Sequence, residues 1–138
     1  MIRAALLLCI ATQPAVAQTS LPPQLICDFV GICDATDVCT THDPPQPVFT
    51  LLQSGQEWLW DVRAEWQGFP VLIANNAEDA LTQHRANPRF GLALIPSGVT
   101  TNGQIVLDGH GLPAFDNGTL DPNAMRHHCR EASDEMSS

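Results

Sequence analysis

Five cysteines and five histidines have the widest chemical range in this sequence, and their spacing limits what they can do. Cys27, Cys33 and Cys39 follow one another at six-residue steps, Cys129 stands alone near the end, and Cys9 lies in the first apolar run. The densest polar cluster is His127-His128-Cys129, with His42, His84 and His110 elsewhere. Adjacent histidines on a strand point to opposite faces, so His127 and His128 cannot both ligate one ion; neither HExxH nor CxxC occurs. A zinc or copper centre has to be assembled from distant positions, with His84, His110 and either His127 or His128 as candidate ligands. The simpler expectation is solvent-exposed histidines in loops.

Catalytic constellations are no better supplied. There is no GxSxG elbow for a serine nucleophile, and a Cys–His nucleophile needs a free thiol. Asp108 and His110 can share one side of a strand end, but a lone Asp/His pair is weak ground for acid–base work. A blue-copper site needs a histidine between its cysteine and methionine, and none lies between Cys129 and Met136. Loop oxygens in Asp116–Asp121 and at Asp34 and Asp37 suit calcium, yet neither stretch follows the EF-hand order, and turn-forming Asp and Asn account for both. The expectation is a non-enzymatic chain with no cofactor.

The compartment is more legible. Arg3, the apolar run Ala4–Ala11 and the small-residue site Ala15-Val16-Ala17 have the layout of a secretory signal cleaved after Ala17, which discards Cys9. No apolar run approaches the roughly 20 residues of a membrane span. Residues 18–130 are then expected to form a single domain, with 131–138 as a frayed tail. Cys27, Cys33, Cys39 and Cys129 are an even set in an exported chain and predict two disulfides. Three pairings are open. Each contains a bridge from Cys129 closing a loop of about 90 to 100 residues, worth up to about 4 to 5 kcal/mol.

All six basic residues are arginines, against 15 acidic ones; without Arg3 the balance is five to 15, a net charge of −10. Such a field repels nucleic acid and anionic surfaces, which removes nucleic-acid binding, and suits a cationic protein partner as well as plain solubility.

The elements that must hold these residues read as short strands. Leu25–Cys33 forms a first strand that Gly31 bends, Asp34–Pro47 with three prolines a loop pinned by Cys33 and Cys39, and Val48–Gln53 a second strand. In EWLWDVRAEW the residues Trp58, Trp60, Val62, Ala64 and Trp66 alternate with Leu59, Asp61, Arg63 and Glu65, the period of a half-buried strand. The tryptophan stripe is assigned to the core rather than to a binding platform. Pro70–Ala74 reads as a buried strand, and Asn75 or Asn76 caps one helix that Pro88 ends. Phe90, Leu92 and Leu94 resume alternation until Pro96 and Gly98 break it. Asn102-Gly103 makes a hairpin turn into a strand at Gln104–Leu107, and Asp108–Thr119 reads as a glycine-rich loop. After Asp121-Pro122, a helix through Arg126 and a final strand carrying Cys129 fit equally well. The sum is a mainly β fold, a small antiparallel sandwich or barrel with one short helix and two disulfides.

The frame LICDFVGICDATDVC with Cys27, Cys33 and Cys39, and the late HHCREA around Cys129, resemble a group of small exported bacterial proteins with three early cysteines and one near the end. That resemblance implies export and a cysteine frame, and no activity. The architecture and charge are also similar to those of periplasmic lysozyme inhibitors, without an inhibitory motif. The functional expectation is an exported or envelope-associated binding module with a protein partner. Its most concrete form is an inhibitor of a cationic hydrolase such as lysozyme; the alternative is a histidine-based periplasmic metal-binding protein.

Overall fold

The structure is a computed structural model that describes residues 21–61, 68–115 and 117–132. The expected signal peptide (1–17), Trp66, Asp116 and most of the expected tail lie outside the described residues. Seven strands, β1 (Gln24–Cys33), β2 (Cys39–Ser54), β3 (Glu57–Asp61), β4 (Phe69–Ile73), β5 (Leu92–Val99), β6 (Ile105–Gly111) and β7 (Ala124–Glu131), close into a barrel in chain order. Helix α1 (Ala77–Ala86) joins β4 to β5. The choice between sandwich and barrel therefore falls to the barrel.

One seam departs from the antiparallel expectation. β4 and β5 are parallel and share only Leu72↔Ala93 and Ile73↔Leu94, whereas every other neighbouring pair is antiparallel. The reason is the helix between them: a parallel pair needs a crossover, and α1 is that crossover. Its start is fixed by Asn76, whose side chain accepts from the Asp79 amide at 2.8 Å, with Glu78 and Asp79 favourably placed in the first turn.

Three stretches expected to be irregular are strand instead, and a fourth, left open between helix and strand, is strand. β2 begins at Cys39, inside the expected loop. Its pairing with β1 jumps from Gly31↔Thr41 to Phe29↔Gln46, and β3 reaches only Thr50–Ser54, so Pro44 and Pro45 fall in the jump where no ladder amide is required. Gly31 lies at this shift, and a Cβ there would collide with the Thr40 carbonyl oxygen. β5 continues through Pro96 and Gly98 by a register shift, in a part of the strand that β4 does not reach. β6 runs on through Gly111, because Gly109 is where Leu92 and Leu94 of β5 press against the β6 backbone. After Asp121-Pro122 there is no helix: the Asp121 carboxylate accepts from the Asn123 amide, and β7 follows at once.

Alternation fills the barrel. Leu25, Cys27, Leu51, Trp60, Val71, Leu94, Leu107 and Cys129 are its buried cluster, with Trp58 and Phe49 packed against it. Trp60 thus serves the core as expected, while Trp58 is only partly buried against it. A second cluster, Leu72, Ala74, Ala80 and Ala93, seats α1. Two disulfides, Cys27–Cys129 and Cys33–Cys39, each join residues directly opposite in register, on β1/β7 and β1/β2. They fit an oxidising, non-cytoplasmic setting. Among the described residues no helix is long and apolar enough to cross a membrane.

Candidate functional site

Among the described residues, a concavity lies where α1 leaves the barrel wall. The β2–β3 turn supplies Gln56, β3 supplies Glu57 and Trp58, β4 supplies Val71, Leu72 and Ile73, and Gln83, Ala86, Asn87 and Phe90 come from α1 and the residues after it. They enclose a groove of about 580 Å³. It exists because the parallel seam is only two residue pairs long, so α1 and its exit close only part of the wall. Gln83 donates to the Ile73 carbonyl oxygen and to the Asp79 carboxylate, both at 3.2 Å, which ties the helix to β4. Arg89, paired with Glu57, joins the far end of α1 to β3, and its guanidinium lies 4.8 Å from the Phe90 ring centroid. Aromatic rings and amide side chains thus line one cleft beside the Arg89–Glu57 pair, a composition suited to binding.

A second cluster sits on the barrel wall around Arg126 of β7. Its Nε and Nη2 donate to the two carboxylate oxygens of Asp108 on β6 at 2.8 and 2.9 Å, and Nη2 also donates to Asp37 at 2.8 Å. Nη1 donates to Cys39 Sγ at 3.5 Å. Burial alone would raise the Asp108 carboxyl, but the hydrogen bonds and charge of Arg126 outweigh it and hold the group below the usual carboxylate range. The guanidinium itself is pushed up, first by Asp108, so this centre stays charged. Asp108 faces Arg126 in register, and its coupling to His110 is a minor influence beside that of the arginine.

The histidines are not the loop residues expected: all five lie on strands or on α1, and only His42 is exposed. His127 is 2% exposed and packs against Phe29, Phe49 and Trp60, with ring centroids 5.7, 5.8 and 5.1 Å away. Burial pushes its pKa down to about 4, against the opposing pull of nearby Leu107 and Met125 backbone groups, and its Nδ1 is buried without a hydrogen-bond partner. His84, on α1, is also buried and donates from Nε2 to the Pro113 carbonyl oxygen at 2.8 Å. His110 on β6 donates from Nδ1 to the Asp121 carbonyl oxygen at 2.9 Å, while His128 is half-buried on β7 beside His127. His42 lies on β2, its ring 5.8 Å from Phe29.

Among the described residues, the one group of three potential ligands with atoms within 4.8 Å is Cys33, Asp37 and Cys39, whose two sulfurs are bonded to each other. His84, His110, His127 and His128 are not in it. Asp34, weighed for calcium, accepts from the Thr36 amide, the Thr36 hydroxyl and the Val38 amide, and these bonds hold its pKa low. That is turn chemistry. The groove and the Arg126 cluster were beyond sequence reasoning, because their members come from segments far apart in the chain. Comparison with protein-family models, with curated proteins and with solved structures finds no match to this chain.

Proposed function

We propose that this chain is a non-enzymatic binding module, exported to the periplasm or secreted, whose contact face is the groove between α1 and β3–β4 and whose partner is a cationic protein. The groove carries this reading. Trp58 and Phe90 offer rigid contact area, and Gln56, Gln83 and Asn87 offer directional hydrogen bonds beside it, the mixture from which protein interfaces draw their energy and register.

Charge supports the sign of the partner. Arg89, Arg126 and Arg130 each spend their charge on a carboxylate of the chain itself, namely Glu57, Asp108 with Asp37, and Asp28. Exposed carboxylates such as Asp34, Glu78, Asp121 and Glu131 then dominate the field outside. A basic hydrolase such as lysozyme is the most concrete partner of this kind, and inhibition would follow from occupying its substrate cleft.

The test is calorimetric titration of purified basic lysozyme into the chain at about 20 mM and about 300 mM salt, a range over which screening of surface charges becomes strong. Association that weakens with salt, and that the exposed groove substitutions Gln56→Arg and Asn87→Arg abolish, is the expected result. Salt-independent association, or none, overturns the hydrolase version. Salt-sensitive association that survives both substitutions moves the contact away from the groove.

A further inference from the structure

We propose that Cys33–Cys39 is a reversible thiol–disulfide exchange site that favours cationic and neutral thiols over anionic ones, whereas Cys27–Cys129 is inert until the barrel opens. The two bridges differ in access. Cys27 and Cys129 are both wholly buried within the main core cluster. Cys33 is also buried, but its partner Cys39 is partly exposed at the mouth of the β1–β2 hairpin. Exchange needs an external thiolate to reach one sulfur of the bond, and Cys39 is the sulfur it can reach.

A thiolate forms a bond to Cys39 Sγ as the Cys33–Cys39 bond breaks, and Cys33 leaves as a thiolate that takes up a proton. A second thiol of the reductant then attacks the mixed disulfide. Cys39 leaves with the bonding pair, and the reductant departs as its own disulfide, so the protein gains two electrons and two protons. Arg126 Nη1, already donating to Cys39 Sγ, is placed to stabilise that second leaving thiolate. In the reverse direction it favours Cys39 as the thiolate that opens the reductant's disulfide, after which Cys33 attacks Cys39 Sγ, expels the reductant thiolate and re-forms the bond.

Two further features make the site reversible and selective. The intervening loop has bonds of its own beside the disulfide: Asp34 holds Thr36 and Val38 through three hydrogen bonds, and the Asp34 amide donates to the Val38 carbonyl oxygen at 2.9 Å. The two thiols therefore stay close after reduction. That same loop exposes the Asp34 and Asp37 carboxylates on an already acidic protein, which draws cationic thiols and repels anionic ones.

Native protein is treated with graded cysteamine or 3-mercaptopropionate, at matched thiolate concentrations, then alkylated and mapped by mass spectrometry. Labels are expected at Cys33 and Cys39 alone, arriving about tenfold faster with cysteamine at low ionic strength, with the difference shrinking as salt is added. Replacing the cysteamine with its disulfide, cystamine, which accepts the two electrons, should restore the bond, more slowly in Asp34→Ala. In the reduced protein, Arg126→Gln should shift the alkylation pH profile of Cys39 upward and Arg126→Lys should largely restore it. Labelling of all four cysteines together, labelling only on unfolding, or equal rates for the two thiols overturns the proposal.

Discussion

Cys27 and Cys129 stand opposite each other across the β1–β7 seam, 102 residues apart in the chain and joined through sulfurs that no solvent reaches. This is the seam at which the last strand meets the first, so the bond fixes the closure of the barrel as well as the chain ends. A cross-link of that span removes far more freedom from the unfolded chain than the six-residue Cys33–Cys39 link does. The double substitution Cys27→Ala/Cys129→Ala should cost about 4 to 5 kcal/mol by this argument, and Cys33→Ala/Cys39→Ala about 2 kcal/mol. Urea unfolding of the two variants measures the difference directly. Equal losses would show that the covalent tie across the β1–β7 seam has no special weight.

A second prediction concerns acid. Folding takes His127 from an ordinary histidine pKa of 6.5 to about 4, because the imidazolium would have to form among Phe29, Phe49 and Trp60. The unfolded chain therefore binds a proton that the folded chain refuses. Stability is fully present above the unfolded pKa and falls as pH drops from 6.5 toward 4, by up to about 3 kcal/mol at the lower end. Urea midpoints measured across that range should show this loss, and His127→Leu should flatten the part lying above the carboxylate titrations. An unchanged slope in that variant would remove His127 from the acid response.

A third prediction tests the Arg126 cluster. Asp108 is nearly buried and both its oxygens are bound by Arg126, so neutralising one partner strands the other. Arg126→Met should destabilise the fold by about 3 kcal/mol or more, while the double change Arg126→Met/Asp108→Leu should recover much of that loss. A double variant no better than the single one would indicate a net favourable ion pair rather than a mutual neutralisation.

How far the sequence reached can be judged from particular elements. The alternation at Trp58 and Trp60, the Asn76 cap and the Asn102-Gly103 pair are local signals, and each marks the element it predicts; the hairpin loop is one residue longer than an Asn-Gly turn, because the Gly103 amide bonds back to Thr100 and only Gly103 takes a positive φ. Pro44, Pro45, Pro96 and Gly109 misled because composition registers a breaker but not whether a neighbouring strand needs its amide or its missing side chain. The parallel seam was legible in principle, since a strand, a capped helix and a strand in close succession form a crossover. The cysteine count predicted two bridges, but not the pairing, which depends on barrel register. Arg126 and the groove were out of reach for a related reason: Arg126 meets Asp37 and Asp108 across 89 and 18 residues, and nothing local records those meetings.

The last prediction concerns the helix that frames the groove. α1 has only ten residues, and it packs on the barrel mainly through Ala80, His84 and the small cluster with Leu72, Ala74 and Ala93, so its terminal bonds carry unusual weight. Asn76 accepts from the Asp79 amide, and the Asp79 carboxylate in turn accepts from the Asn75 amide and from Gln83, which reaches the Ile73 carbonyl. Asn76→Ala breaks the first link of that chain and should cost about 1 kcal/mol. Because the parallel seam is short, the loss should appear locally before it appears globally. Native-state hydrogen exchange should accelerate in α1 and at Leu72–Ala74 while the β1, β6 and β7 amides keep their protection. Uniform acceleration across all strands would mean that α1 opens only with the whole barrel, leaving the groove as rigid as the core beside it.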